Sequence, residues 1–563
     1  MSPFNLPLRP KTMKNKLVYF IAFLLLSSCS LEEKIVDTLT PENSISTQSD
    51  VTAFLNGTYA ELQSSNGFKG NYAVFWSTAD DINIRPGIAS NLPYSIKTQD
   101  SSTPATAGFW QALYSTINRC NYLLEQVEPL SINAAYKARV KGELYFLRGF
   151  SYFYLVRLFG DVPLRLKATS LTDDLTLERT SVDKVFEQIF QDFKLASSSL
   201  LTRTALPASE FGHATKGAAQ ALLAKAYLTY ASYQSLKGTS GNANFSLAQV
   251  YADSVINSNQ YQLIGSYNDL WDVAKERDAY REVIFGIAFT RDSQTGALGS
   301  QFAGFFMPST MPNVAGQGTT KVGVANYNVQ PWFYDKYSTG DYLNDYRVER
   351  SFLTTWTNTS NRKVITYPLL KASTTSTELT ENQPYIYKYV DGDGLSNSNQ
   401  ENDLFIIRLA EVYLIKAEAE NEVNGPTATA YTAFNMLRAR ARNAGGTVRT
   451  TPANLATGLS KDEFRMRIVD ERALELFAEG HRWFDLVRIK APNGKSMMEY
   501  QFGTFLPTLK AGLPVYNNTA RRWDGGVTES SSIPTSFNQR LMLLPIPQTE
   551  LVANPKITQN PGY

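Results

Sequence analysis

The stretch GELYFLRGFSYFYLVRLFGDVPL, Gly142 to Leu164, decides how the rest of the chain is read. From Ala138 to Phe159 apolar side chains recur at three- and four-residue spacing, the period of a helix with a buried face. Gly160 and Pro163 then stop that helix. The same period appears upstream at Phe109 to Glu128. Downstream it returns in TSVDKVFEQIFQDFKLASSSL, in ATKGAAQALLAKAYLTYASY with Thr215 as its cap, and from Ser246 to Ser258. A last helical block holds DLFIIRLAEVYLIKAEAENE, ATAYTAFNMLRARAR and SKDEFRMRIVDERALELFAEGHRWFDLVR. Helix therefore dominates.

Two of these helices share a local pattern. Ala221 to Leu228 and Arg408 to Ala419 both set small alanines within a turn of Tyr-Leu, which lets paired helices approach closely, as in tetratricopeptide-like pairs. No strict 34-residue period emerges, so degenerate repeats and an irregular helical domain both remain open. Between the helical blocks, residues 292–402 and 490–540 are rich in Gly, Ser, Thr, Asn, Pro and aromatics. EVIFGIAF and PYIYKYV run like short strands. Irregular segments carried on a rigid frame are where binding surfaces are built.

The N-terminus carries a separate message. Lys14 and Lys16 precede an apolar run, Leu17 to Leu26, and then LSSC ends at Cys29. This has the form of a secretory signal whose start is Met13, and its apolar run is too short to span a bilayer. LSSC is similar to the lipobox of bacterial lipoproteins, which implies lipidation of Cys29 after removal of residues 1–28. Ser30 stands at the next position in place of the Asp that favours inner-membrane retention in similar lipoproteins. Glu32-Glu33 resembles the surface-export signals of some of them, which implies an outer-membrane, outward-facing lipoprotein. Residues 29–45 then read as a tether and 46–563 as a single domain. Removing residues 1–28 takes away four basic residues and no acidic ones, which moves the formal charge from +2 to −2. A near-neutral chain gives no electrostatic case for nucleic acid. With Cys29 acylated, Cys120 has no disulfide partner, and its helical setting predicts a buried thiol. Only His213 and His481 are present, which argues against His-based triads and zinc sites.

Several segments together resemble the SusD/RagB family of outer-membrane nutrient-binding lipoproteins. They are Gly142 to Leu164, ATKGAAQALLAKAYL, NDLFIIRLAEVYLIKAEAE, LRARA, ERALELFAEGHRWFDLVR and the C-terminal LLPIPQTELVANPKITQNPGY. The resemblance implies a mainly α fold in which tetratricopeptide-like helix pairs carry a loop-rich face with short β-strands. It also implies a binding protein, not an enzyme. Such a protein captures oligosaccharides, or in some branches peptides, as the extracellular lid of a SusC-like TonB-dependent outer-membrane transporter. Gly149 departs from the family, which more often has Ala there, and reads as a local softening of up to about 1 kcal/mol.

Sugar recognition needs flat aromatic faces and nearby polar groups for hydroxyls. Two stretches supply both. The first offers Trp76, Asp80, Asp81, Asn83, Arg85 and Tyr94, and the second Phe305, Phe306, Tyr327, Asn328 and Trp332. Trp523 is a third, weaker candidate. Glu471, Glu475 and Glu479 share one helix face, which raises a glycosidase as a rival, although the arginines around them favour ion pairing. Asp391 and Asp393 in DGDG sit at calcium-loop spacing, and Asx-turn chemistry explains them equally well. No other cofactor is expected. A ligand-free assembly scaffold is the remaining rival.

Overall fold

The eight stretches of helical period all appear as helices in a computed structural model, the last of them split in two, and two helices before Phe109 join them without having been expected from the sequence. The structure describes residues 45–85, 88–170, 172–291, 298–308, 311, 323–358, 361–367, 384–444, 446–510, 515–517, 522–524 and 536–563, with side chains between 509 and 535 left aside. The helices are α1 (Gln48–Leu62), α2 (Asn71–Trp76), α3 (Pro104–Val127), α4 (Ala134–Phe159), α5 (Val182–Ser199) and α6 (Lys216–Leu236). They continue with α7 (Asn242–Ile256), α8 (Leu409–Asn424), α9 (Ala428–Ala441), α10 (Lys461–Glu475) and α11 (Arg482–Arg488). From α3 to α9 each helix packs on the next, while α1 lies on α3 and α10 on α8. This is the helix-pair architecture expected from the alanine and Tyr-Leu pattern. Residues Thr47–Tyr563 form one compact unit and Met1–Ser46 another, of which only Ile45 and Ser46 are described. The signal, Cys29 and most of the tether lie outside the described residues.

Local chemistry sets the helix ends. Thr47 and Asp50 form a capping box on α1, as Ser460 and Glu463 do on α10. Thr215 accepts a hydrogen bond from the Ala218 N–H, as its position predicts. At the end of α4, Gly160 takes φ +72°, a left-handed backbone that favours glycine. Cys120 is buried and free, as its helical setting predicts.

The deciding helix departs from its expected single buried face. From Phe146 to Phe159 α4 is buried all round, because α3, α5 and α6 surround it. Gly149 belongs to this crowding. A Cβ there would stand 3.1 Å from Asp192 Cβ and 3.3 Å from the Phe193 ring. The glycine sets how closely α4 and α5 approach, so it is a packing device and not only a softening.

The loop-rich segments hold small antiparallel sheets. β1 (Ile82–Ile84), β3 (Tyr327–Val329), β5 (Tyr385–Ile386) and β4 (Phe352–Leu353) form one in that spatial order. β2 (Val283–Ile287) pairs with β6 (Leu404–Arg408) through a bulge at Phe285. EVIFGIAF and PYIYKYV thus supply strands, as their patterns predict.

Glu471 and Glu475 of α10 are interior, and because α10 ends at Glu475, Glu479 lies in the turn beyond it and not on the expected shared helix face. Glu475 meets Arg347 at 2.9 Å and Arg408 at 2.5 Å, and also pairs with Arg440. Glu471 takes Arg347 at 2.6 Å and Arg438 at 3.1 Å, while Glu479 takes Arg408 and Lys388, both at 2.8 Å. Glu471 and Glu475 are wholly buried and Glu479 is 2% exposed. Buried charge persists only when paired and hydrogen-bonded, so these residues lock β6, α9 and α10 together. With no solvent access they cannot flank a glycosidic bond. The hydrolytic rival loses its carboxylates.

Candidate ligand-binding face

Strand pairing joins the two candidate stretches, which lie some 250 residues apart in sequence. β1 and β3 run antiparallel with Ile82 opposite Val329, Asn83 opposite Asn328 and Ile84 opposite Tyr327. The Arg85 N–H donates to Asn326 O at 2.9 Å, and the Asn326 N–H donates to Phe305 O at 2.7 Å. One sheet edge therefore gathers Arg85, Phe305 and Tyr327.

The side chains divide by burial. Trp76 is 4% exposed and stacks on Phe302 and Phe306, with ring centres 5.9 and 5.7 Å away. Tyr94 is fully buried, and its hydroxyl lies 2.6 Å from Thr106 Oγ1. Trp332 donates its indole N–H to Asp80 O at 3.1 Å, and Tyr327 packs against Phe305 and Phe306. A stacking residue must offer an open face, so Trp76, Tyr94, Phe306, Tyr327 and Trp332 are corrected from sugar platforms to core. The polar members follow them inward. Asp80 takes both arms of Arg482, at 2.8 and 2.9 Å, and Asn83 accepts from Ser95 Oγ. Asp81, just before β1, and Asn328, on β3, are buried as well. Arg85 remains exposed and Phe305 half-buried. The Trp523 side chain lies outside the described residues.

Charge in this interior is tuned by burial. Desolvation, reinforced by the neighbouring Asp80 carboxylate, pushes Asp81 up to about 7. Desolvation lowers Lys97 to about 7, although its ammonium donates to Ser77 O at 2.6 Å and Ala79 O at 3.0 Å.

A second feature was not singled out from the sequence. A cleft of 630 Å³ is lined by Asp269, Asp272, Arg291, Arg350, Tyr387 and Asp393, among others. Arg350 lies 5.3 Å from the centre of the half-buried Tyr387 ring, and Arg291 reaches Asp391 at 3.2 Å. This combines a ring with many hydrogen-bonding groups, the pairing sought in the other two stretches. The signal for it lay in PYIYKYV, whose Tyr387 falls between buried Ile386 and Lys388. Beside the cleft, burial and the Asp403 carboxylate push Glu276 up to about 10, so it stays protonated.

The DGDG segment resolves toward turn chemistry. Asp391 Oδ1 accepts the Asp393 N–H at 3.0 Å and Oδ2 accepts the Glu401 N–H at 2.8 Å, with Arg291 alongside. Among the described residues, no three His, Cys, Asp or Glu side chains converge as a metal site. Nor, among them, is any helix long and apolar enough to cross a membrane.

The chain has relatives along its whole length. Residues 281–563 match the SusD family, and residues 31–228 match a family described as starch-binding and associating with the outer membrane. It is 28% identical to SusD-like protein P2 of Formosa agariphila over 98% of this chain and 100% of that one. It is 25% identical to the starch-binding protein SusD of Bacteroides thetaiotaomicron over 82% of this chain and 79% of that one. A solved SusD homologue from B. thetaiotaomicron shares the fold with a TM-score of 0.77 at 23% identity, over 93% of this chain and 98% of that chain. With half the chain matched directly and the helix ladder shared nearly end to end, the protein belongs to the SusD family.

Proposed function

We propose that this protein is a lipid-anchored, outward-facing outer-membrane lipoprotein that captures oligosaccharides. It hands them to a TonB-dependent transporter over whose mouth it acts as a lid, and it performs no catalysis. Family membership carries this reading. Relatives and neighbours of the chain include the starch-binding protein SusD, a laminarin-binding SusD-like protein and surface glycan-binding proteins of Bacteroides fluxus and Bacteroides uniformis. The 630 Å³ cleft supports it, being within the size of small-ligand sites and rich in hydroxyl-binding groups. Arg85 and Phe305 form a second place where ligand can touch the protein.

Binding without chemistry calls for modest affinity, micromolar to millimolar, or about −8 to −4 kcal/mol. The test is a glycan and peptide array probed with the full chain, followed by calorimetry on the glycan that binds. Tyr387→Ala is expected to weaken that glycan about tenfold, since an aromatic contact contributes roughly 1 kcal/mol or more beyond the area it buries. Capture of peptides and of no glycan would overturn the reading.

A further inference from the structure

Arg203, Phe211, His213, Arg277, Tyr280 and the start of β2 help to line a pocket of 300 Å³ that shares no residue with the cleft. Its lining holds two arginines and one histidine, and no Asp or Glu. Elsewhere the buried guanidiniums of α9, α10 and β6 are matched to carboxylates. Here neither Arg203 nor Arg277 forms a close ion pair among the described residues, and Arg277 only exerts a weaker, longer-range pull on Asp403.

The geometry keeps both cations available. Arg203 donates Nε to Tyr280 O at 3.0 Å and Nη1 to Gln260 O at 3.4 Å, which leaves Nη2 without a partner among the described residues. Arg277 is exposed, and its guanidinium lies 3.6 Å from the centre of the Phe211 ring, with no hydrogen bond or ion pair among the described residues. Phe211 packs edge-on against Tyr280, with ring centres 4.5 Å apart, so both arginines border one aromatic wall. The neighbouring acids are engaged elsewhere. Glu210 takes both arms of Arg139, at 2.7 and 2.9 Å. Glu143 takes His213 Nδ1 at 2.8 Å and the Tyr59 hydroxyl at 2.9 Å. Asp403 accepts from the Tyr280 hydroxyl and the Phe289 N–H.

A guanidinium stacked on an aromatic ring keeps its hydrogen-bonding edge free, and that edge fits a planar carboxylate or a sulfate. An aromatic wall fits the apolar face of a sugar ring. The pocket volume is at the small end of ligand sites. We infer that this pocket binds an acidic sugar unit, whose carboxylate or sulfate ester is held by Arg203 and Arg277 while its ring lies against Phe211. This rests on the glycan-binding reading and adds a charge class to the ligand.

Calorimetry on the full chain in detergent tests it, with digalacturonate, galactose 6-sulfate and maltose as probes. At least one acidic probe should bind, more weakly at high salt because the contact is ionic. Arg277→Ala should cost that probe at least tenfold and Arg203→Ala/Arg277→Ala should abolish it, with maltose unchanged. Arg277 is exposed and makes no hydrogen bond among the described residues, so its single variant is expected to fold normally, which thermal melting checks. The ranking of digalacturonate against galactose 6-sulfate identifies the anion. Equal binding of the acidic probe by wild type and double variant overturns the proposal, as does failure of both acidic probes to bind wild type. In that second case a neutral glycan still captured on the array leaves the family reading standing, whereas no glycan at all sinks both.

Discussion

His481 shows how one residue's surroundings fix its chemistry. Burial, then the Lys225 ammonium and the Arg472 guanidinium, hold its imidazole well below the usual range, and Nδ1 lies 3.0 Å from Lys225 Nζ. In the unfolded chain the same ring takes a proton near pH 6.5. Its contribution to stability is therefore present above that pH and is lost as pH falls, by about 1.4 kcal/mol per unit. Asp81 has the opposite sign: raised to about 7, it contributes stability fully below its unfolded value and loses it as pH rises through 7. The difference between two proteins isolates the histidine. His481→Gln should be less stable than wild type at pH 7, and the gap should close by about 1.4 kcal/mol per unit below pH 6.5. Urea unfolding at pH 7, 6 and 5 measures this, and parallel stability curves would refute it. The shared face of Glu471 and Glu475 was legible in sequence because four-residue spacing names a helix face, but the helix end that leaves Glu479 outside it was not. Nor was the fate of Trp76 and Tyr94, because an aromatic residue is equally suited to a sugar and to a core.

Helix packing is decided by the smallest residues at the crossings. At Gly149, α4 meets α5 where Asp192 is pinned by Arg148 at 2.7 and 3.0 Å and Phe193 is wholly buried. Alanine there gains up to about 1 kcal/mol of helix propensity. It must also displace neighbours that have no room to move, and overpacking costs typically 1–3 kcal/mol, so a net loss of about 1 kcal/mol is expected for Gly149→Ala. Chemical denaturation reads this directly, and a stabilised variant would show that α5 yields. The cap at Thr215 was visible in sequence because a cap is local: one side chain and an N–H three residues on. The β1–β3 pairing was not, since short strands carry little periodicity and their partners are 250 residues apart. The full burial of α4 was hidden for a related reason. Periodicity reports the face a helix must bury, and only its neighbours decide whether the other faces are buried as well.

At the scale of the whole molecule, the proposed lid depends on an anchor as well as a fold. If Cys29 is acylated, each buried CH₂ contributes roughly 0.8 kcal/mol to membrane attachment, and several chains hold the protein firmly. Cys29→Ala should move the protein from the outer-membrane fraction to the soluble fraction in cells lacking the transporter. Persistence in the membrane pellet there would refute the anchor. What the sequence determined by itself was the helical class, the order of the helices from Phe109 onward, the family and the Thr215 cap. Each is written in local spacing or in motifs that keep their order along the chain. The tertiary structure alone decided which aromatics are core, that the α10 glutamates are interior ion pairs, and that Arg203 and Arg277 border one pocket without carboxylates. Burial and charge pairing depend on which distant segments meet, and no window of neighbouring residues contains that information.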